Sequence, residues 1–171
     1  KVFDVVYAKN GKSPVKLAGY HALNSLRMEK GYLHWGHDIG VEENPFEAGV
    51  GFCVNLNKKN PFLGQAALEE KKKSGLSKRK VNFALSNNDL LIYHNEPIYF
   101  DGKIVGEISS GMYGFYLDKS LGMGYISNND SYSIEEMMSH QKFEIEVAET
   151  KYSAEGSINC FYDPGREKIL V

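Results

Sequence analysis

The residues best suited to chemistry lie in one stretch, YLHWGHDIGVEENPFEAGVGF, at positions 32–52. Within it, His34, His37 and Asp38 carry imidazole and carboxylate groups, which zinc and iron accept as ligands. Two histidines that bind one metal from a helix stand four positions apart, as in HExxH, whereas His34 and His37 are three apart. The spacing therefore favours a structured loop, whose polar side chains bond to the backbone, over a metal site.

Other reactive groups lack the neighbours that catalysis requires. The serines of EISSGMYG, residues 107–114, do not form the GxSxG turn of a nucleophile elbow, and Gly111 and Gly114 favour a β-bulge or a tight strand exit. No stretch matches a P-loop or a dinucleotide fingerprint. Paired carboxylates such as Glu135 and Glu136 lie in polar patches, where water solvates them and makes them poor acid/base groups. We therefore assign no catalytic residue and no metal ligand.

Aromatic side chains are abundant. The chain has eleven Tyr and nine Phe, and Tyr20, Tyr32 and Trp35 lie close together in sequence. Such rings stack on planar heterocyclic ligands, and Tyr still offers a hydrogen bond. They equally fill protein cores. The residues alone indicate a possible planar-ligand surface and do not name a reaction.

The first half of the chain is predicted to be helical and irregular. Residues 2–8 form the tail of a helix that Asn10-Gly11 ends, and residues 15–19 form a short extended piece. Residues 20–31 form a second helix that ends at its glycine. Its apolar residues share one side: Ala22, Leu23 and Leu26.

A short strand and a third helix are predicted next. Residues 52–56 have a β-type pattern, and Asn60-Pro61 opens a helix that Ser74-Gly75 closes. Two apolar pairs of this helix are expected to face inward: Phe62 with Ala66, and Leu63 with Ala67.

From Arg79 onward the apolar residues alternate with a period of two, which indicates strands. Asp101-Gly102 is a hairpin-turn signal between two of them. Five or six strands with short turns favour a small barrel or sandwich that leaves no free edge. The strand-like segments are residues 80–86, 96–100, 103–109, 120–126 and 143–160.

The change of periodicity predicts an α+β protein with a domain boundary. The polar, charged segment KKKSGLSKRK at residues 71–80 is the expected linker. We place one domain at residues 1–76 and a β-barrel domain at residues 77–171.

The composition limits the function classes. The chain is 42% hydrophobic with a formal net charge of −2, which is typical of a globular protein and offers little electrostatic attraction for nucleic acid. No apolar run is long enough to span a membrane. Cys53 and Cys160 have no metal-type spacing and are expected to be reduced core residues. The sequence has no charged-then-apolar leader, and it reads as part of a longer protein.

Residues 18–56 resemble the glycine cleavage system T-protein (aminomethyltransferase) family. In AGYHALNSLRMEKGYLHWGHDIGVEENPFEAGVGFCVNL, a helix of the type RxSLRLExG precedes Y/W-G-x-D-I, an acidic loop and P-x-E-A-G. The similarity continues through FLGQAALEEKKKSGLSKRKV and EPIYFDGKIVGEISSGMYGFYLDKSLGMGYI to FYDP, residues 161–164. It covers nearly the whole chain. It implies the end of a folate-binding α/β domain followed by a small C-terminal antiparallel β-barrel.

Within that family, GYHALNSLRMEKGYLHWGHDI is most similar to the folate-binding C-terminal half of sarcosine and dimethylglycine dehydrogenases. The implied function is to move a one-carbon unit from an oxidised N-methyl amine to tetrahydrofolate, giving 5,10-methylenetetrahydrofolate. The implied partners are folate and upstream domains of the parent chain, where a dehydrogenase would hold FAD. The implied compartment is the bacterial cytoplasm or the mitochondrial matrix.

The resemblance also implies two rival functions. One is an aminomethyltransferase that acts with a lipoyl carrier protein, which the dehydrogenase-like helix motif disfavours. The other is a non-catalytic module, as in the related regulatory subunit of pyruvate dehydrogenase phosphatase.

The resemblance places few functional residues in this chain. Leu23 stands where T-proteins hold a folate-contacting Arg, so that contact is lost. Tyr32 matches a position against the folate, and Arg166 matches a C-terminal basic position that approaches the folate and could pair with its glutamate tail. The catalytic Asp of the family would lie upstream, so this chain alone is expected to be inactive. The His34–His37 cluster is then scaffold beneath the ligand channel.

Overall fold

A closed six-stranded antiparallel barrel dominates the computed structural model, which describes residues 1–8, 17–168 and 170. Its strands are β1 (Lys78–Leu85), β2 (Pro97–Phe100), β3 (Lys103–Gly114), β4 (Lys119–Ser127), β5 (Phe143–Val147) and β6 (Thr150–Ser157). Around the barrel they follow the order β1-β4-β3-β2-β5-β6, and β6 pairs with β1 to close the ring. The predicted α+β fold with a C-terminal antiparallel barrel is confirmed.

Four helices accompany the barrel in the described part of the chain: α1 (Val2–Ala8), α2 (Tyr20–Lys30), α3 (Gln65–Ser74) and α4 (Ile134–His140). The first three agree with the predicted helices, and α4 was not predicted. The predicted strand at residues 52–56 is wrong, because a 3-10 turn occupies Gly51–Cys53 and no strand follows it there. The predicted Asn10-Gly11 stop lies outside the described residues, as do the first two residues of the extended piece predicted at residues 15–19; residues 17–19 are in neither a helix nor a strand.

Strand β1 is buried on both faces. Val81, Phe83 and Leu85 point into the barrel, where they join a core of apolar side chains from every strand. On the other face, Lys80 and Asn82 are also buried. That outer face is covered because a second apolar cluster packs against it, made of Met28, Ala84, Leu121 and Met123.

One β-turn confirms the predicted hairpin signal, and another divides a segment that was predicted as a single strand-like segment. Asp101 and Gly102 have φ values of 49° and 80°, the left-handed geometry of the predicted hairpin turn. The segment predicted as strand-like at residues 143–160 is two strands, joined at Ala148 and Glu149. The pairing of β3 with β4 shifts at residues 108–110, which places the bulge just before Gly111.

The side of α2 that faces the barrel is mostly polar, and the apolar residues predicted to share one side of this helix lie on its exposed face. Leu23 and Leu26 are exposed, whereas Ser25, Met28 and Glu29 are buried. The polar residues tolerate burial because each bonds to the β3–β4 hairpin: Ser25 Oγ donates to the carbonyl of Tyr113 at 2.7 Å. Helix α3 likewise has no buried residue, so the predicted inward pairs of that helix are wrong.

The predicted linker is mostly regular structure. Residues 71–74 are the last turn of α3 and residues 78–80 begin β1, which leaves residues 75–77 as the connection. The division into two domains stays a prediction. The expectation of two core cysteines is wrong for Cys53, which is exposed, whereas Cys160 is half-buried; both are free thiols.

Candidate ligand-binding site

A cavity of about 570 Å³ lies where the turn after α2 meets the start of β1 and the C-terminal segment. We call it the basic cavity. Tyr32 and Arg166, the two residues predicted to contact folate, both line it. Whether either residue contacts a ligand stays a prediction, but the fold brings them to the same cavity from positions far apart in sequence.

Four basic side chains line this cavity, and no acidic side chain does among the described residues. They are Lys30, Arg79, Lys80 and Arg166. Lys30 is neutralised, because its Nζ lies 3.1 Å from Oδ2 of Asp163. The other three have no ion pair within the described ranges. The cavity therefore presents an uncompensated positive charge, which suits an anionic ligand.

Lys80 is the most deeply buried of these cations, with 7% of its surface exposed. Its Nζ donates to Oδ1 of Asn82 at 2.9 Å. The pKa of Lys80 is lowered to about 8, mainly by burial; Asp38 and Cys160 partly oppose this shift, and Arg79 adds to it. Asn82 is itself held in place, since its Nδ2 donates to backbone carbonyls that include Asn159 at 2.9 Å.

Arg79 and Arg166 are the other two basic residues that line the cavity. Nη1 of Arg79 donates to the carbonyl of Phe46 at 3.0 Å, which fixes the guanidinium without cancelling its charge. The guanidinium carbon of Arg166 lies 6.0 Å from the ring centroid of Phe52. Arg166 has a φ of 59° and its N–H donates to the carbonyl of Asp163 at 3.0 Å, so a tight turn sets its direction.

The end of α2 positions Tyr32 at the rim of the basic cavity. Gly31 adopts the left-handed conformation (φ 67°), and the N–H of Tyr32 donates back to the carbonyl of Arg27 at 2.9 Å. Arg27 Nη1 in turn donates to the carbonyl of Tyr32 at 3.2 Å. The Tyr32 side chain is 56% exposed, so it is not a core residue. Its ring is free to contact a ligand.

Asp38 organises the loop that follows. Its carboxylate is fully buried and accepts from Arg27 Nη1 at 2.7 Å, from the N–H of His34 at 2.8 Å and from Ser109 Oγ at 2.6 Å. The carbonyl of Asp38 accepts from the hydroxyl of Tyr125 at 2.7 Å. These contacts tie the loop to the barrel and engage both carboxylate oxygens, in agreement with the scaffold interpretation.

The histidines lie beside this anchor. The rings of His34 and His37 are 5.2 Å apart, and with His94 they line a polar cavity of about 190 Å³. No group of metal-binding side chains occurs in the ranges that the structure describes.

A second, apolar groove of about 540 Å³ shares Tyr32 with the basic cavity. Leu23 lies in it and is 58% exposed. Leu23 is therefore at the surface near Tyr32. Among the described helices, none has the length and apolar character needed to cross a membrane.

Arg79 and Lys80 are the cavity residues that the sequence reasoning missed. Both lie in KRK, which was interpreted as the end of a linker because it is charged. The strand pattern itself contained the signal. Lys80 comes just before a residue that points into the barrel, so its side chain points to the outer face, where it is either exposed or enclosed by another element.

The chain belongs to the glycine cleavage T-protein family. Residues 78–163 match the model of the glycine cleavage T-protein C-terminal barrel domain, and residues 1–58 match that of the GCVT N-terminal domain. The closed barrel agrees with the description of the first of these models.

Individual relatives sharpen the assignment. The chain is 36% identical to 4-methylaminobutanoate oxidase (formaldehyde-forming) of Paenarthrobacter nicotinovorans, over 98% of this chain and 20% of that protein. It is 31% identical to human mitochondrial sarcosine dehydrogenase, over 98% of this chain and 18% of that protein. It therefore spans about a fifth of these curated relatives.

A solved structure agrees with the fold. Aminomethyltransferase T of the glycine cleavage system from Bartonella henselae is similar with a TM-score of 0.70 and 25% identity, over 86% of this chain and 40% of that chain.

Proposed function

We propose that this chain forms one wall of a tetrahydrofolate site in a one-carbon-transfer module, within a parent enzyme of the sarcosine/dimethylglycine dehydrogenase type. The module would take a one-carbon unit from an N-methyl amine and give 5,10-methylenetetrahydrofolate. The observation that carries the proposal is a cavity with three unpaired cations beside the exposed ring of Tyr32.

The chemistry of that cavity fits a folate. A folate joins a planar pterin and a benzoyl ring to a glutamate, so it needs flat apolar contacts at one end and cationic contacts at the other. Tyr32 and Phe52 supply ring faces, and Arg79 and Arg166 supply guanidinium groups that can pair with carboxylates. Tetrahydrofolate, when bound, supplies the nitrogen that accepts the one-carbon unit.

The contribution of this chain is to bind the folate and to orient it. The left-handed turn at Gly31 and the Asp38 network hold Tyr32 against the barrel, so that one wall of the site is set before a ligand arrives. We assign no catalytic residue here. The catalytic Asp and, in a dehydrogenase, the FAD site would be supplied by the rest of the parent chain.

The bacterial cytoplasm or the mitochondrial matrix is the compartment that we propose. The human relative is named as mitochondrial and the other relative is bacterial, which supports this choice.

The test is titration calorimetry of the full-length parent with a reduced folate. Arg166→Ala should weaken binding about 10- to 100-fold, since a charge-assisted hydrogen bond contributes about 1.5–3 kcal/mol. Lys151→Ala is the matched control, because this exposed cation does not line the basic cavity. A parent that gives no heat and no stoichiometric complex would contradict the proposal.

An aminomethyltransferase is the second candidate, and the Bartonella structure favours it. The two functions differ in the upstream sequence, where an FAD fingerprint would indicate a dehydrogenase. A parent that lacks both the fingerprint and the catalytic Asp would instead support a non-catalytic module.

A further inference from the structure

We propose that Lys80 is a carbonyl-capturing group, whose amine condenses reversibly with formaldehyde or another small aldehyde inside the basic cavity. The proposal rests on the proposed function only for the identity of the aldehyde. The geometric observations that support it concern Lys80 and its surroundings, and they do not depend on folate binding.

Lys80 differs from an ordinary surface lysine in three ways. It is nearly fully buried, yet it lines a cavity that a small molecule could enter. The one hydrogen-bond partner of its side-chain nitrogen in the described structure is the neutral amide oxygen of Asn82, at 2.9 Å. Among the residues that the structure describes, no carboxylate pairs with it, whereas Lys30 in the same cavity is held by Asp163. The structure therefore does little to keep the proton on Lys80.

The consequence is an unusual supply of free amine. With a pKa of about 8, about one Lys80 in ten is neutral at pH 7, about 300-fold more than for a lysine with the ordinary value. The charged and titratable groups that act on it are Arg79, Asp38 and Cys160. When the amine is neutral, one N–H can stay on Asn82 while the lone pair is free to attack.

The covalent step balances without any further reactant. The Lys80 nitrogen adds to the carbonyl carbon of formaldehyde, and the oxygen takes up a proton to give a carbinolamine, –NH–CH₂OH. Protonation of that hydroxyl and loss of water leave the iminium, –NH⁺=CH₂. The iminium carries the same single charge as the ammonium it replaces, so the cavity tolerates both. Attack by a secondary amine on the iminium carbon would give an aminal. After a proton moves to the Lys80 nitrogen, cleavage of the bond between that nitrogen and the carbon would leave the one-carbon unit as an iminium on the secondary amine and release neutral Lys80.

Asn82 is the positioning residue in this scheme. Its Nδ2 donates to the carbonyls of residues 157–159, which leaves Oδ1 pointing at Lys80. An amide oxygen accepts from the amine in either protonation state and favours the ammonium less than a carboxylate would.

The experiment is reductive trapping on the full-length parent chain. The protein is treated with dilute formaldehyde and cyanoborohydride, which reduces an iminium to an N-methyl group, and peptides are read by mass spectrometry. We expect Lys80 to be methylated on the order of 100-fold faster than exposed lysines such as Lys59 and Lys151 at pH 7. The rate at Lys80 should level off above pH 8, while the rates of the exposed lysines continue to rise.

Two variants make the result specific. Lys80→Arg keeps the charge and removes the nucleophile, so the label at that peptide should vanish. Asn82→Asp places a carboxylate beside the amine and should slow trapping at Lys80 about 10-fold or more, because a neighbouring opposite charge raises the pKa of a lysine by about one unit or more. Urea unfolding confirms that each variant is folded.

The opposite outcomes are equally clear. Methylation of Lys80 no faster than that of Lys59 and Lys151, or a rate that Asn82→Asp leaves unchanged, would overturn the assignment. Calorimetry with reduced folate is independent of this readout, so failure of the trapping would leave the folate proposal standing, and loss of folate binding would leave the trapping result intact.

Discussion

Asp38 and Lys80 are both buried charges near the end of α2, but the protein satisfies them in different ways. The Asp38 carboxylate receives three donors, including the guanidinium of Arg27 at 2.7 Å. The Lys80 ammonium has one neutral acceptor, Asn82. A charge that is fully paired serves the fold, because nothing remains for a ligand to supply. A buried charge that lies beside a cavity and has no counterion can instead be neutralised by a bound ligand.

The largest expected effect concerns Asp38, the buried charge that is fully paired. Asp38→Asn removes the negative charge and leaves Arg27 partly buried without its partner, which should cost about 3–5 kcal/mol in the free energy of unfolding. Urea unfolding of the chain followed by far-UV circular dichroism measures the loss.

The control for Asp38 is Asp101→Asn, which breaks the exposed ion pair with Lys142. Its effect should be much smaller, since water already solvates both groups. Equal losses in the two variants would show that burial does not distinguish the two ion pairs.

The unpaired charge of Lys80 should make the stability of the protein depend on pH. Burial depresses the pKa of folded Lys80 to about 8 from an ordinary value of 10.5, so the unfolded chain binds this proton more tightly. The stability should therefore rise between about pH 8 and pH 10.5, by up to about 3 kcal/mol from this group.

Lys80→Met isolates that contribution. The variant lacks the titrating group, so its advantage over the wild type should be greatest below pH 8 and shrink as the pH rises to 10.5. Parallel stability curves for the two proteins over this range would contradict a depressed Lys80 pKa.

The smallest expected effect concerns the rim of the basic cavity. Tyr32→Ala should weaken reduced-folate binding by the parent about 3- to 10-fold, since stacking by an aromatic ring contributes about 0.5–1.5 kcal/mol. The unfolding free energy should hardly change, because the side chain is exposed. Tyr93→Ala is the matched control: this tyrosine is 60% exposed and lies away from the basic cavity. A similar loss of affinity in both variants would argue against a contact at Tyr32.

The barrel could be predicted from the sequence because its strands alternate strictly, as in Val81, Phe83 and Leu85. The last hairpin could not be, since Ala148 and Glu149 adopt positive φ without the Asn-Gly or Asp-Gly pair that signals such a turn. Helix α4 was missed although its capping box was visible: Ser133 and Glu136 each bond to the other's backbone N–H.

The site was harder to predict than the fold. On α2, the apolar side that the sequence predicts is exposed, because the barrel presents backbone groups that need polar partners, and Ser25 and Glu29 supply them. Tyr32 and Arg166 came from the family resemblance, and no pattern in the residues would have placed them together. The burial of Lys80 depends on contacts with distant segments, which a local charge pattern does not show.

Glu29 connects two segments that are far apart in sequence. Its carboxylate Oε1 accepts from the N–H groups of Tyr116 and Leu117 at the tip of the β3–β4 hairpin, at 2.7 and 3.1 Å. Its carbonyl accepts from the N–H of Tyr162, in the segment that leads to Arg166, at 3.1 Å. Glu29 thus ties the remote hairpin to the segment that leads to Arg166, so we expect a change at the hairpin to shift that side of the cavity.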